Sequence, residues 1–531
     1  MLEKCCKINV ILNALIATLF CSFFSAGQAI AQSPSQKIHG YFTGVSAIEQ
    51  KLFYATETKR FYVRNGFAYA WLSKQNIADF QILLVYFKQS ANLGLEQDDH
   101  VNSYCSQLKY KILTASSEDD SINADIAITD AAIHFFHDVA EGNQTEDLLY
   151  NGLNYFPGCI NIDSILFVYL NTGKFSFLLS DLEPHEKIYE SMKEKLQFFQ
   201  QIISIENFKD AQVKSESTDA NRRLLITRLY QLGLLASDTE KLDLTQIKDK
   251  IKEVQNTLNQ AEDGELHYST IQMLNVPIST RIIELKSALN ALRWIGCIKK
   301  TERHIIVVNI PSTTLQLYEQ DKIVLESKIV AGKKSTPTPT LCSVINEVIL
   351  YPYWNVPNKI AVSELLPAIK KNPEFLADNN YEVLDKQAKI IDPAKVNWQK
   401  LNKNNFPYTI RQSTGCDNSL GLIKLNFYNP YTVYLHDTPF KGFFKAKYRF
   451  YSHGCMRVER AFEVARYVLK NHSVAIDTLV QKGCLKNQSP VVIRASEIIP
   501  VFVLYHTAWA DSAATVRFYP DVYKKVSLAE N

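Results

Sequence analysis

The residues best suited to covalent chemistry run together at Tyr451–Val458, as Ser452, His453, Gly454, Cys455, Met456 and Arg457. In an extended strand, residues two apart share a face. His453, Cys455 and Arg457 would then point one way, and Met456 and Val458 the other, into a core. A free thiol, with a pKa near ~8.5, is mostly protonated at neutral pH, and a nearby imidazole or guanidinium favours the nucleophilic thiolate. Gly454 leaves space for a substrate or for an unusual backbone angle. The pattern predicts an activated thiol at Cys455.

A second histidine lies in Tyr431–Pro439, where Tyr434 and His436 alternate with Val433 and Leu435 as in a strand with one buried face. Fifteen residues separate His436 from Ser452, enough for Phe440–Phe450 to loop over the site and set two strands side by side. His436, His453 and Cys455 could instead ligate zinc with an open fourth position, although no H-E-x-x-H or second carboxylate cluster accompanies them. Buried apolar filler is the reading for Cys342 and Cys416. Core or surface placement is expected for His506, and packing for Trp354, Trp398 and Trp509.

The elements that must position these groups follow from periodicity. Lys37–Leu242 reads as helical, with three- and four-residue apolar steps at Ala78–Leu93 and Tyr189–Ile205, and with Ser116–Asp125 as an exposed polar loop. Two helices are predicted in Leu242–Pro277 around the turn Asp263-Gly264. A third should start near Ser279 or Thr280, present Ile282, Leu285, Leu289 and Leu292 on one face, and stop at Gly296. From His304 the period changes to strands: Ile305–Ile310, Thr314–Tyr318, Lys322–Val330, Val344–Leu350 and Tyr431–Leu435. Ile360–Lys400 reads as a helical and irregular insertion, and Ala461–Leu469 as a short helix. The fold class expected is α+β and multidomain.

Composition narrows the function classes. Of 531 residues, 46% are hydrophobic and 21% charged, as in folded globular proteins, and a net charge of +3 gives no basic surface for nucleic acid. No phosphate loop or dinucleotide fingerprint is present. At the N-terminus, Lys4 and Lys7 precede an apolar run from Ile8 to Ala26, and Ala29-Ile30-Ala31 offers a cleavage site. A cleaved signal peptide over residues 1–31 is expected, with membrane association only if it stays uncleaved. Seven cysteines then remain (Cys105, Cys159, Cys297, Cys342, Cys416, Cys455 and Cys484), so at least one is a free thiol in an oxidising compartment. Their spacing does not pair them.

His436, then fifteen residues, then Ser-His-Gly-Cys-Met-Arg resembles the signature of the L,D-transpeptidases with a YkuD-type catalytic domain. Further segments are similar to the large Gram-negative, YcbB-like group: Gly332-Lys333 with Thr338-Pro339, Tyr353–Pro357, Gly415 with Asn418–Gly421, His436–Pro439, Arg281–Trp294 and Thr507–Trp509. The resemblance implies a signal peptide at 1–31, a helical scaffold at 37–239, a peptidoglycan-binding-like module at 240–276 and a linker helix at 277–300. A β-rich catalytic domain would follow at 301–531, capped by an insertion at about 360–400. It also implies a periplasmic enzyme, a target of carbapenems, acting on peptidoglycan tetrapeptide stems beside cell-wall synthesis enzymes, with neither cofactor nor metal. Cys455 would attack the bond between meso-diaminopimelate and D-alanine and pass the acyl group to a second diaminopimelate. His453, oriented by a backbone carbonyl, would be the general base, and His436 would help to stabilise the oxyanion. Ser452, Gly454, Arg457, Arg449 and Tyr434 would support or contact the substrate. The same thioester could instead serve protein attachment, stem hydrolysis or D-amino acid exchange. A non-catalytic wall-binding scaffold is the bland alternative.

Overall fold

The computed structural model describes residues 33–44, 52–73, 76–95, 115–142, 159–216, 218–470, 473–483 and 488–526. The expected signal peptide, Cys105 and Cys484 lie outside these residues. Among the described residues, no helix is long and apolar enough to cross a membrane.

Two compact units divide the chain. The first contains residues 1–81, 106–133 and 163–175. Its described helices include Pro34–Thr43, Ala55–Arg64 and Ile162–Asn171. Ser116–Asp125, read from sequence as an exposed loop, instead opens the long helix Glu118–Glu141. Acidic side chains in the first turn suit the positive end of a helix dipole, and the Ser117 hydroxyl accepts from the Asp120 N–H at 3.1 Å. Asp125 is fully buried, because its carboxylate accepts from the backbone N–H groups of Ala70, Trp71 and Leu72 and from the Tyr62 hydroxyl.

The second unit holds residues 82–105, 134–162 and 176–531. Helices Leu244–Thr257 and Tyr268–Leu274 flank a turn organised by Gln255, whose amide donates to Asp263 and Glu265 and accepts from the Gly264 N–H. The next helix runs Ile278–Thr301, past the stop expected at Gly296. Beyond that glycine, Cys297 is joined to Cys159 by a disulfide and Ile298 is buried, so packing overrides the local stop signal.

Nine of the described strands form one large closed sheet. First come β1 (His304–Asn309), β2 (Thr314–Glu319), β3 (Lys322–Gly332) and β4 (Leu341–Leu350). An insertion follows, with β5 (Trp354–Asn355), β6 (Tyr381–Leu384), β7 (Ile390–Ile391) and β8 (Thr409–Gln412). The chain then returns through β9 (Ile423–Phe427), β10 (Leu435–His436), β11 (Phe450–Ser452), β12 (Met456–Val458) and β13 (Val491–Leu504), and ends in the ribbon of β14 (Ala508–Ala510) and β15 (Val516–Phe518). The order is β11-β3-β12-β10-β9-β4-β13-β1-β2, and β2 pairs back with β3. β1 shows why an unbroken apolar run becomes a strand buried on both sides. Ile305 and Val307 pack towards Leu285, Leu289 and Trp294 of the long helix, while Ile306 and Val308 face the sheet interior with Val464 and Val468.

The insertion is not merely helical and irregular: β5, β8, β6 and β7 make a sheet of their own. Arg411 ties it together through two bonds to Glu382 at 2.8 and 2.6 Å. Its leading helical segment widens into a π-turn over Ala361–Leu365, just before Pro367. Proline has no N–H to offer the carbonyl four residues back, so the helix accommodates by a longer-range bond.

Candidate active site

The strand expected over Tyr451–Val458 is interrupted. β11 runs parallel to β3 on one side and β12 antiparallel to it on the other, so residues 453–455 form a turn over the end of β3. Gly454 sits at φ +116°, which side-chain-bearing residues rarely adopt. That conformation breaks the two-residue alternation, and it is why His453 and Cys455 do not share a strand face. Gly332, at the end of β3, is equally constrained, since a Cβ there would collide with the Thr336 carbonyl. The Lys333 N–H then reaches the Ser452 carbonyl at 2.9 Å, fastening the turn to the strand beneath.

Ser452 is a positioning residue. Its buried hydroxyl donates to the Cys455 carbonyl at 2.6 Å and accepts from the Gly454 N–H at 3.2 Å, so its one proton is spent on the turn rather than on the substrate contact expected of it. Thr338 braces the turn from the other side by donating to the Gly454 carbonyl at 2.8 Å. Arg449 also departs from a substrate-facing role. It is buried and donates to the carbonyls of Ile329, Ala446, Ser312 and Thr313. Four backbone acceptors hold a guanidinium that sequence alone places near the site.

β10 lies between β12 and β9, and here the two-strand expectation for His436 finds its geometry. His436 pairs with Arg457 on one side and Lys424 on the other. The Met456 N–H to Tyr434 carbonyl bond, 3.0 Å, sets Tyr434 level with Cys455. By strand alternation Tyr434, His436, Cys455, Arg457 and Lys424 project from the same face. Cys455 is half-buried, with Sγ 3.9 Å from the Thr432 carbonyl and within reach of Tyr434 through its N–H and its hydroxyl. Trp354 of β5 lies close enough to the Tyr434 hydroxyl to influence it, so the insertion adjoins the residue that faces the sulfur.

The two histidines exchange the roles that the sequence suggests. His436 is the one bonded to a backbone carbonyl, Nδ1 to Asp437 at 2.6 Å, with the Leu420 carbonyl also beside the ring. A carbonyl only accepts, so Nδ1 carries the proton and Nε2 keeps a lone pair. Burial, aided by the Arg457 and Lys424 charges, pushes its pKa down to about 3. His453 is exposed, and its Nε2 lies 2.6 Å from Glu364 of the π-turn and 3.3 Å from Lys333. It latches the insertion to the rim. The zinc arrangement is not assembled either: no group of three metal-ligating atoms among the described residues includes Cys455, and the one that exists contains the disulfide-bonded Cys159 and Cys297.

Of the described cysteines, Cys342 is a buried thiol as expected, whereas Cys416 is disulfide-bonded rather than filler. Sequence reasoning passed over Lys424 and Glu364. The alternation Ile423-Lys424-Leu425-Asn426-Phe427 marks a strand, but which histidine it faces is set by pairing between distant segments.

Residues 303–493 match the family described as the L,D-transpeptidase catalytic domain, YkuD. Residues 56–196 match a scaffold domain. A curated Haemophilus influenzae (strain ATCC 51907 / DSM 11121 / KW20 / Rd) protein named "Putative L,D-transpeptidase" is 37% identical over 279 residues, 51% of this chain and 55% of that protein. The chain thus spans about half the length of that relative. A solved structure described as the Ldtfm–avibactam carbamoyl enzyme is 13% identical and covers 59% of this chain and 98% of that one. Its TM-score of 0.18 carries no argument about this fold.

In the L,D-transpeptidase domain, burial pushes the Cys455 thiol up from its ordinary value, against the pull of Tyr434, Lys424 and Arg457. A raised thiol pKa beside a depressed imidazole pKa makes the resting pair neutral. Alkylation of Cys455 by iodoacetamide, followed by peptide mass spectrometry, should therefore accelerate steadily from pH 7 to beyond pH 9. A rate already level between pH 5 and 8 would reveal a preformed thiolate–imidazolium pair and sink this reading.

Proposed function

We propose that this chain is a peptidoglycan L,D-transpeptidase exported to the periplasm. The observation that carries the reading is Cys455, a half-buried free thiol on one face with His436, whose tautomer is fixed by the Asp437 carbonyl. Cys455 Sγ attacks the carbonyl joining meso-diaminopimelate to the terminal D-alanine of a tetrapeptide stem. The thiol proton passes to His436 Nε2 and on to the departing amine as the C–N bond breaks, leaving a thioester. The amine of a second diaminopimelate then attacks that thioester. Its proton returns through His436 to the sulfur, and a cross-link joins two third-position residues. The Cys159–Cys297 disulfide supports an oxidising compartment.

Purified protein incubated with disaccharide-tetrapeptides should yield cross-linked dimers and free D-alanine, both lost in Cys455→Ala. A carbapenem should add a single mass to Cys455 of the wild type. Identical product profiles for wild type and Cys455→Ala by mass spectrometry would refute the assignment. Products lacking the second stem would instead redirect the thioester to water or another acceptor.

A further inference from the structure

One cross-strand row carries more positive charge than the transfer step requires. Lys424, His436 and Arg457 stand side by side on β9, β10 and β12, and the imidazole is bracketed by two cations. Neighbouring strands are about 4.8 Å apart, so the backbones bearing the two cations lie roughly 10 Å from one another. Both side chains are half-buried. Lys424 Nζ lies 4.1 Å from the centre of the Tyr434 ring, and the Arg457 guanidinium 5.5 Å from that of Phe443. Among the described residues, neither has a carboxylate partner at ion-pair distance. Glu347 draws on Lys424 only at longer range, while its Oε1 accepts from Asn426 Nδ2 at 2.6 Å. Aromatic faces compensate partly buried cations, but much less than an anion does. Two such cations beside a nucleophile mark a place where a negative group arrives with the ligand.

Which group arrives there follows from the chemistry of the row. If His436 protonates the departing amine, the leaving residue's carboxylate is one carbon from that nitrogen, and so beside His436. We infer that Lys424 and Arg457 form a carboxylate clamp, which selects acyl donors whose scissile bond is followed by a single residue with a free α-carboxylate. This rests on the transpeptidase reading and adds to it a specificity determinant, Lys424. The clamp makes the enzyme an end-reader: a stem extended or neutralised past the scissile bond presents no anion at the row, and the cations stay uncompensated. Seating the carboxylate also relieves the field that disfavours a proton on His436, so donor recognition and base strength rise together.

The donor has a second carboxylate on diaminopimelate, and amidating only the terminal D-alanine separates the two sources. Single-turnover release of the leaving residue should be compared for the free-acid disaccharide-tetrapeptide and its D-alaninamide counterpart. Wild type should favour the acid by roughly 10²-fold or more in kcat/KM, as sites built around a polar group do. Lys424→Met should shrink the acid-to-amide ratio by most of that factor, whatever its loss beside Cys455 and His436 does to the absolute rates, and Lys424→Arg should retain the ratio. Equal rates for acid and amide in the wild type would overturn the clamp while leaving the transpeptidase reading intact. So would a Lys424→Met variant that slows both donors alike. Release from neither donor would overturn both. The wild-type comparison needs no variant to fold.

Discussion

His436→Ala should slow acyl-enzyme formation by roughly 10²–10⁴-fold, the usual weight of a positioned general base, while His453→Ala should cost far less. The contrast runs against the proximity of His453 to the nucleophile in sequence. His436 is buried, its proton is held on Nδ1 by the Asp437 carbonyl at 2.6 Å, and it shares a face with Cys455. His453 is exposed and its Nε2 is engaged by Glu364 at 2.6 Å. Loss of His453 frees the insertion from the rim but leaves the proton path in place. Rapid-quench mass spectrometry of acylation by a carbapenem would separate the two variants. If they slow acylation equally, His453 takes part in the chemistry and His436 is not the general base on its own.

Arg449→Met should cost several kcal/mol of stability, a large part of the ~5–15 kcal/mol that a domain has. Its guanidinium joins four carbonyls, from the β1–β2 turn (Ser312 and Thr313), β3 (Ile329) and the segment leading into β11 (Ala446). Each buried acceptor left bare costs about 1–3 kcal/mol. Arg449→Lys should recover only part of this, because a compact ammonium cannot span the fork. Urea denaturation followed by tryptophan fluorescence reads the effect directly. An unchanged midpoint together with weakened donor binding would restore Arg449 to the substrate-facing role that its sequence position suggests.

The pairing of His436 with the Cys455 segment was legible because a fifteen-residue spacing and alternating apolar positions constrain two strands to lie together. The change from helical to strand period near His304 was legible for the same reason: periodicity is local. What escaped depends on long-range pairing or on one backbone angle. Gly454 could be read as permissive, but not as the residue that turns the chain over β3 and separates His453 from Cys455. Lys424 escaped because the histidine that it flanks is set by the pairing of β9 with β10. Ser116–Asp125 misled because its acidic, hydroxyl-rich residues suit a loop and a helix start equally, and only the buried contacts of Asp125 decide between them.

The position of β3 between β11 and β12 also bears on how the protein is made. The nucleophile's turn rests on Gly332 and Lys333, whereas His453, to which Lys333 is joined, lies 120 residues further along the chain. Contacts of such sequence separation form late, since the entropy of closing the intervening loop must be met first. A partly folded chain therefore has Cys455 on a turn without the β3 residues, Gly332 and Lys333, that fasten it. Catalytic competence then appears only when the sheet closes. Reactivity towards acylating agents is in this sense a checkpoint on folding, and an incompletely assembled molecule is kept from premature chemistry by its own topology.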